Sequence, residues 1–224
     1  MTGLNRGDKR APIVERGDDL YETPSEAVHA LLKHERLPNY LWEPACGPGS
    51  ITRVLRGAGK FVHATDLVNY RWEDHGEEPG FAEHGIDFLM ARSAYTAAPI
   101  GAIVTNPPFK LANEFVEHAR KLCPKVIMLL RLAFYESERR SNILDAGDLA
   151  RVLVFRKRLP QMHRHGWEGP KANSGMCFAW FIWDAEHKGD TVFKRISWEP
   201  IGGAKPAAPR RKRTLDTETA SIGL

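Results

Sequence analysis

Cysteine is scarce in this chain. Cys46, Cys123 and Cys177 are the three among 224 residues, and they lie far apart. An odd, scattered set builds neither a disulfide framework nor a zinc site, and it suits a reducing compartment. Long apolar runs are also missing. The longest, residues 176–183, falls far short of the roughly 20 residues a membrane-spanning helix needs. The opening stretch MTGLNRGDKR is polar and lacks the apolar core of a signal peptide. A soluble, non-secreted, cytoplasmic protein with no membrane partner is therefore expected. No Gly-Lys-Ser/Thr string occurs, which excludes a P-loop. His163-Arg164-His165 offers two imidazoles without a third ligand close by, so no metal is expected. Neither sign of charge dominates. The 32 Lys and Arg against 28 Asp and Glu leave +4, which permits a nucleic-acid partner without requiring one.

What is present is ordinary globular material, 42% hydrophobic and 27% charged, enough for one domain with tails. Residues 1–19 read as a flexible arm, 20–201 as the domain, and 202–224 as a disordered basic tail carrying Arg210-Arg211-Lys212-Arg213. A helix is expected over 24–35, with Thr23 as its N-cap and Glu26 three residues on. Strands are expected at 40–43, 61–65, 86–89, 101–105, 126–130, 152–155 and 177–183. Helices are expected at 50–56 and 111–122, with a short one over 137–144. This alternation argues for an α/β fold with a mostly parallel sheet. The last two strands have no helix-length pattern between them, so an antiparallel hairpin is expected at the sheet edge. Residues 68–80, including Trp72, read as an exposed loop.

Two strings carry chemistry. The first is Glu43-Pro44-Ala45-Cys46-Gly47-Pro48-Gly49, between the first strand and the helix at Ser50. Glycines there let backbone approach a ligand and aim helix N–H groups at it. Asp66 follows about twenty residues later, where nucleotide folds bind a ribose. Taken alone, the string also fits a plain strand–helix turn, and Cys46 in it reads as small and buried. The second is Thr105-Asn106-Pro107-Pro108-Phe109. Two prolines directly after a buried strand cannot continue a ladder. They hold an extended segment at the carboxyl edge of the sheet, where open α/β folds bind ligands. A proline-rich strand stop is the bland alternative.

Together the strings resemble the class I S-adenosylmethionine-dependent amino-methyltransferases that carry an Asn/Asp-Pro-Pro-aromatic motif. The resemblance spans about residues 20–185. It implies a Rossmann-like class I methyltransferase sheet, mostly parallel with an antiparallel edge hairpin. It implies S-adenosylmethionine as cofactor, held by Tyr21, Thr23, Pro24, Glu43, Pro44, Ala45, Gly47, Gly49, Asp66, Asp87, Phe88 and Asn106. Asn106, Pro107, Pro108 and Phe109 take the catalytic positions. Tyr21-Glu22-Thr23-Pro24 is similar to the N-terminal motif of adenine-specific DNA methyltransferases, and the order of motifs resembles their γ arrangement. Asp87 matches the acid that holds the cofactor adenine. The implied activity is methyl transfer to adenine N6 in double-stranded DNA, with the target base flipped out.

The stretch from Arg151 to Lys171 carries six bases and one acid. Arg156, Lys157, Arg158, Arg164, Trp167 and Lys171 are its candidate nucleic-acid contacts. A solvated charged loop is the alternative. No segment is long enough for a separate target-recognition domain, which resembles the compact enzymes of phages. RNA N6-adenine methylation, protein glutamine methylation, and a non-catalytic nucleic-acid-binding protein on the same fold are the competing functions. The sequence leaves the recognition site and oligomeric state open.

Overall fold

The computed structural model describes residues 22–93, 98–160 and 175–199. Tyr21, Arg164, Trp167, Lys171, the expected arm and the basic tail lie outside the described residues. In chain order the elements are α1 (Ser25–His34), β1 (Tyr40–Glu43), α2 (Ser50–Gly57), β2 (Phe61–Asp66), β3 (Glu83–His84), β4 (Ala102–Thr105), α3 (Ala112–Leu122), β5 (Lys125–Arg131), α4 (Ser141–Leu144), β6 (Leu149–Phe155), β7 (Phe178–Asp184) and β8 (Val192–Ile196). The strands form one sheet of order β3-β2-β1-β4-β5-β7-β6-β8. β7 runs antiparallel to both β5 and β6, and the other neighbours pair in parallel. Among the described residues, no helix is long and apolar enough to cross a membrane.

Helices cover both faces. Ala27, Val28 and Leu31 of α1 and Ile51 and Leu55 of α2 pack on Leu41, Val104, Ile127, Leu129 and Trp180. On the other face, Phe115, Val116 and Ala119 of α3 and Ile143 of α4 pack on Trp42, Ile103, Val126, Met128 and Phe181. Neighbouring residues of β4 and β5 thus alternate between two cores. That is why both strands read as continuous apolar runs, as strands buried on both faces do. All four residues of β4 are buried at the centre of the sheet. Asn106, which follows it, stands at the middle of the carboxyl edge.

Four expectations are corrected. The β6–β7 pair is antiparallel, but β7 is inserted between β5 and β6, and β8 takes the edge instead. β8 exposes four of its five residues, so it lacks the alternation that marks a half-buried strand. The strand expected at 86–89 is a 3₁₀ turn, Phe88–Met90, and β3 lies just before it at Glu83–His84. Phe88 leaves the extended path because its ring enters the core against Phe115 and the edge of Trp42. Thr23 does not cap α1. Pro24 holds that position without a side-chain cap bond, and Thr23 is turned toward Asn106 instead. Finally, Trp72 is buried rather than exposed.

One buried charge ties the opposite edge together. Glu35, just past α1, accepts from Lys125 Nζ at 2.6 Å and from Arg151 at 2.8 and 2.9 Å. It joins the starts of β5 and β6 to the end of the helix. Removing the carboxylate leaves Arg151 without its acceptor and Lys125 with only Asp184 at 3.8 Å and the Arg36 carbonyl. Glu35→Ala is expected to cost about 3 kcal/mol, read from urea unfolding at neutral pH. A loss below about 1 kcal/mol, the range of a surface pair, would be the contrary result.

Candidate active site

The glycine turn is held from several sides. Gly47 N–H donates to Asp66 Oδ2 at 2.8 Å. Gly47 C=O accepts from Trp72 Nε1 at 2.9 Å. Cys46 N–H reaches Thr65 C=O at 3.1 Å. The turn requires its glycines: Gly47 and Gly49 have φ of 52° and 97°, the left-handed region that side chains disfavour. At Gly49 there is a second reason. A Cβ there would lie 2.5 Å from the ring of Phe81. Part of the glycine's purpose is therefore internal packing. Arg56 in turn lies over the Phe81 ring, 4.8 Å from its centroid.

Acids stand around this turn. Asp66, closing β2, accepts from Val68 N–H at 2.9 Å as well as from Gly47. Asp87 is exposed and accepts from Leu89 N–H at 3.0 Å. Beside these acids, Leu67 and Met90 leave apolar surface in solvent, 62% and 78% exposed. Phe88, expected to border the cofactor, is a core residue. Pro44 is buried and Ala45 half-buried within the turn. Cys46 is buried as expected. Burial, reinforced by Glu43 and Asp66, pushes its thiol well above the usual range.

Glu43 lies behind the turn rather than in front of it. It is 1% exposed and accepts from the Thr52 hydroxyl on α2. Burial raises its carboxyl to about 8, with the neighbouring Asp66 adding to the rise. The group is thus mainly protonated at neutral pH and links β1 to α2 as a neutral acid.

The second string meets the first through the segment ahead of α1. Thr23 Oγ1 accepts from Asn106 Nδ2 at 3.1 Å, which turns Asn106 Oδ1 the other way. Glu22 Oε1 accepts from Ser50 Oγ, the first residue of α2, at 2.6 Å. Residues 22 and 23 therefore bridge the glycine turn and the Asn-Pro-Pro-Phe segment. Pro24 follows them, half-buried. Beside Asn106, the Thr105 hydroxyl is fully buried with no hydrogen-bond partner among the described residues. Pro107 is buried, and Pro108 is extended at φ −53°, ψ 127°. Phe109 packs on Phe178 with ring centroids 5.8 Å apart, and Arg131 lies over its ring at 4.3 Å.

Beyond β6, Arg156, Lys157 and Arg158 are all exposed. Lys157 pairs with Glu199 at 2.8 Å, and Arg158 donates to Gly175 C=O. Sequence reasoning missed Glu22 as a contact, together with Ser50, Thr52, Trp72, Phe81 and Arg131. Glu22 had a signal, being inside the quoted motif. The others are joined to the site only by the fold.

Glu43 generates a pH dependence. Its carboxyl holds a proton more tightly in the folded chain than at its ordinary value of 4.5. The native state therefore binds the extra proton, and stability falls as pH rises between about 4.5 and 8. Glu43→Gln is expected to lose this component. Thermal unfolding of both forms from pH 5 to 9 checks it, and parallel curves would count against the assignment.

No family model matches the sequence, and no curated protein matches it. Solved structures do resemble it. One, from Pyrococcus horikoshii, is provisionally assigned as an RNA methyltransferase. It is 15% identical, with 78% of this chain and 91% of that one covered and a TM-score of 0.53. A Listeria monocytogenes protein, provisionally assigned as a class I S-adenosylmethionine-dependent methyltransferase, is 13% identical. The match covers 78% and 65% of the two chains, with a TM-score of 0.53. A modification subunit from Vibrio vulnificus YJ016, provisionally assigned to a type I restriction enzyme, is 13% identical. That match covers 84% of this chain and 49% of the subunit, about half its length, with a TM-score of 0.52. With the strand order and the antiparallel β7, these likenesses establish that the chain has the Rossmann-like fold of class I methyltransferases.

Proposed function

We propose that the protein transfers a methyl group from S-adenosylmethionine to the N6 amino group of adenine in DNA. One observation carries the reading: the carboxyl edge of the sheet is divided by charge, and Asn106 stands at the division. On one side of β4, Asp66 closes β2, Asp87 follows β3, and Glu22 reaches the start of α2. On the other side, Arg131 closes β5 and Arg156, Lys157 and Arg158 follow β6. A cationic cofactor suits the first half and a polyanion the second.

The sulfonium supplies an electrophilic methyl and a good leaving group. The chain's own task is then positioning and electrostatics. Asp66 and Asp87 would take ribose and adenine, with Gly47 and Gly49 allowing the backbone to approach. Thr23, Pro24, Pro44 and Ala45 would border the amino-acid end. An adenine amino group is a weak nucleophile because its lone pair is delocalised into the ring. Asn106 Oδ1 and the Pro107 carbonyl would accept its two N–H bonds and turn that lone pair out of conjugation. Thr23 orients the Asn106 amide for this by accepting from Nδ2. Pro108 stiffens the segment, and Phe109 would stack on the flipped base.

The test is a transfer assay with isotope-labelled S-adenosylmethionine, offering DNA, RNA and protein in parallel, followed by digestion and mass spectrometry. The expected product is N6-methyladenine in DNA. Label in RNA alone would move the substrate to RNA, the assignment given to the Pyrococcus horikoshii neighbour. Absence of both label and cofactor binding would leave a nucleic-acid-binding protein. Asn106→Ala is expected to abolish transfer while leaving cofactor affinity within a few-fold. Near-normal turnover in that variant would overturn the mechanism.

A further inference from the structure

We propose that Arg131 is a placeholder on the Phe109 ring, displaced to a phosphate of the nucleic acid when the target base enters. The inference rests on the proposed function and adds to it a residue that selects a base on a backbone over a free nucleoside.

Arg131 is the last residue of β5, at the carboxyl edge and exposed to solvent. It is registered opposite Phe178, the residue whose ring packs on Phe109. Leu129 and Ile127, two and four residues back, face the core that Phe109 and Phe178 join. Strand periodicity therefore directs Arg131 to the same side. Its guanidinium carbon lies 4.3 Å from the centroid of the Phe109 ring. Among the described residues it makes no ion pair and no hydrogen bond. Three other arginines near these strands are held by acids or carbonyls. Arg120 is held by Asp148, Arg140 by Asn113 and the Phe134 carbonyl, and Arg151 by Glu35.

A guanidinium is flat and permanently charged, so over an aromatic ring it covers the area that a nucleobase would cover. The contact is weak where the cation is exposed. A base stacks on an aromatic ring more strongly and wins the ring. The guanidinium gives up no carboxylate partner when it is displaced, and a phosphate beside the flipped nucleotide is a strong acceptor for it. For a nucleoside without phosphate, displacement is a loss with no return. For a base on a backbone, the loss is offset by the new ion pair.

The two ligands must therefore respond in opposite directions to removal of Arg131. The full chain is titrated with free 2-aminopurine riboside and with an oligonucleotide carrying 2-aminopurine in place of adenine. Quenching of the base fluorescence reports stacking. Arg131→Ala is expected to bind the riboside several-fold more tightly and the oligonucleotide more weakly. The slope of log affinity against log salt for the oligonucleotide should fall by about one. Arg131→Lys is expected to restore the slope. A purely structural role would weaken both ligands together, and that result overturns the proposal, as does no change in either. If the unaltered protein transfers methyl groups yet Arg131→Ala binds both ligands normally, only the placeholder falls. If the unaltered protein neither binds the oligonucleotide nor quenches the riboside, the proposed function falls, and this inference with it.

Discussion

Both backbone groups of Gly47 are held by side chains distant in sequence: its N–H by Asp66 and its C=O by Trp72. The rest of the site depends on this clamp. A left-handed glycine is flexible by nature, and a turn built from two of them would sample many shapes. Here one end of β2 and one buried tryptophan remove that freedom. α2 then starts where Ser50 can meet Glu22, and the segment before α1 is drawn across to Asn106. Protonated Glu43, hydrogen-bonded to Thr52, closes the same corner from beneath without bringing a charge into the core.

Topology puts the ends of β2 and β1 on one side of β4, and those of β5 and β6 on the other. Acids gather on the first side and bases on the second. The overall balance of +4 conceals this division, because net charge carries no geometry. Under the proposed reading, the one rigid segment between the two halves, Asn106 to Phe109, is where a methyl donor and a polyanion would meet. Arg131 lies against that segment because β7 inserts beside β5 and brings Phe178 opposite it.

Much of the fold was legible in the sequence. β1, α2, β2, β4, α3 and β5 each carry their own local signal, a continuous apolar run or an amphipathic stripe bounded by glycine or proline. Elements whose form is decided by a neighbour were less legible. β8 has no apolar alternation and is a strand only because β6 offers an open edge. Phe88–Met90 is a turn because a pocket beside Trp42 takes the Phe88 ring. Thr23 had the chemistry of a cap, but Asn106 competes for its oxygen. In each case a tertiary contact outweighed a local preference.

At the site the same distinction holds. Sequence alone determined the two motif strings, the glycines that a left-handed turn demands, the rigid proline pair after a buried strand, and the acid at the end of β2. These are local requirements of backbone conformation, and the residue types announce them. Only the tertiary structure decided that Glu43 is a buried neutral acid, that Trp72 and Phe81 pack on the glycine turn, and that Arg131 covers Phe109. Those facts depend on burial, on hydrogen bonds between residues far apart in the chain, and on which strand lies beside which. No local pattern encodes them, because their energies exist only once the segments have met.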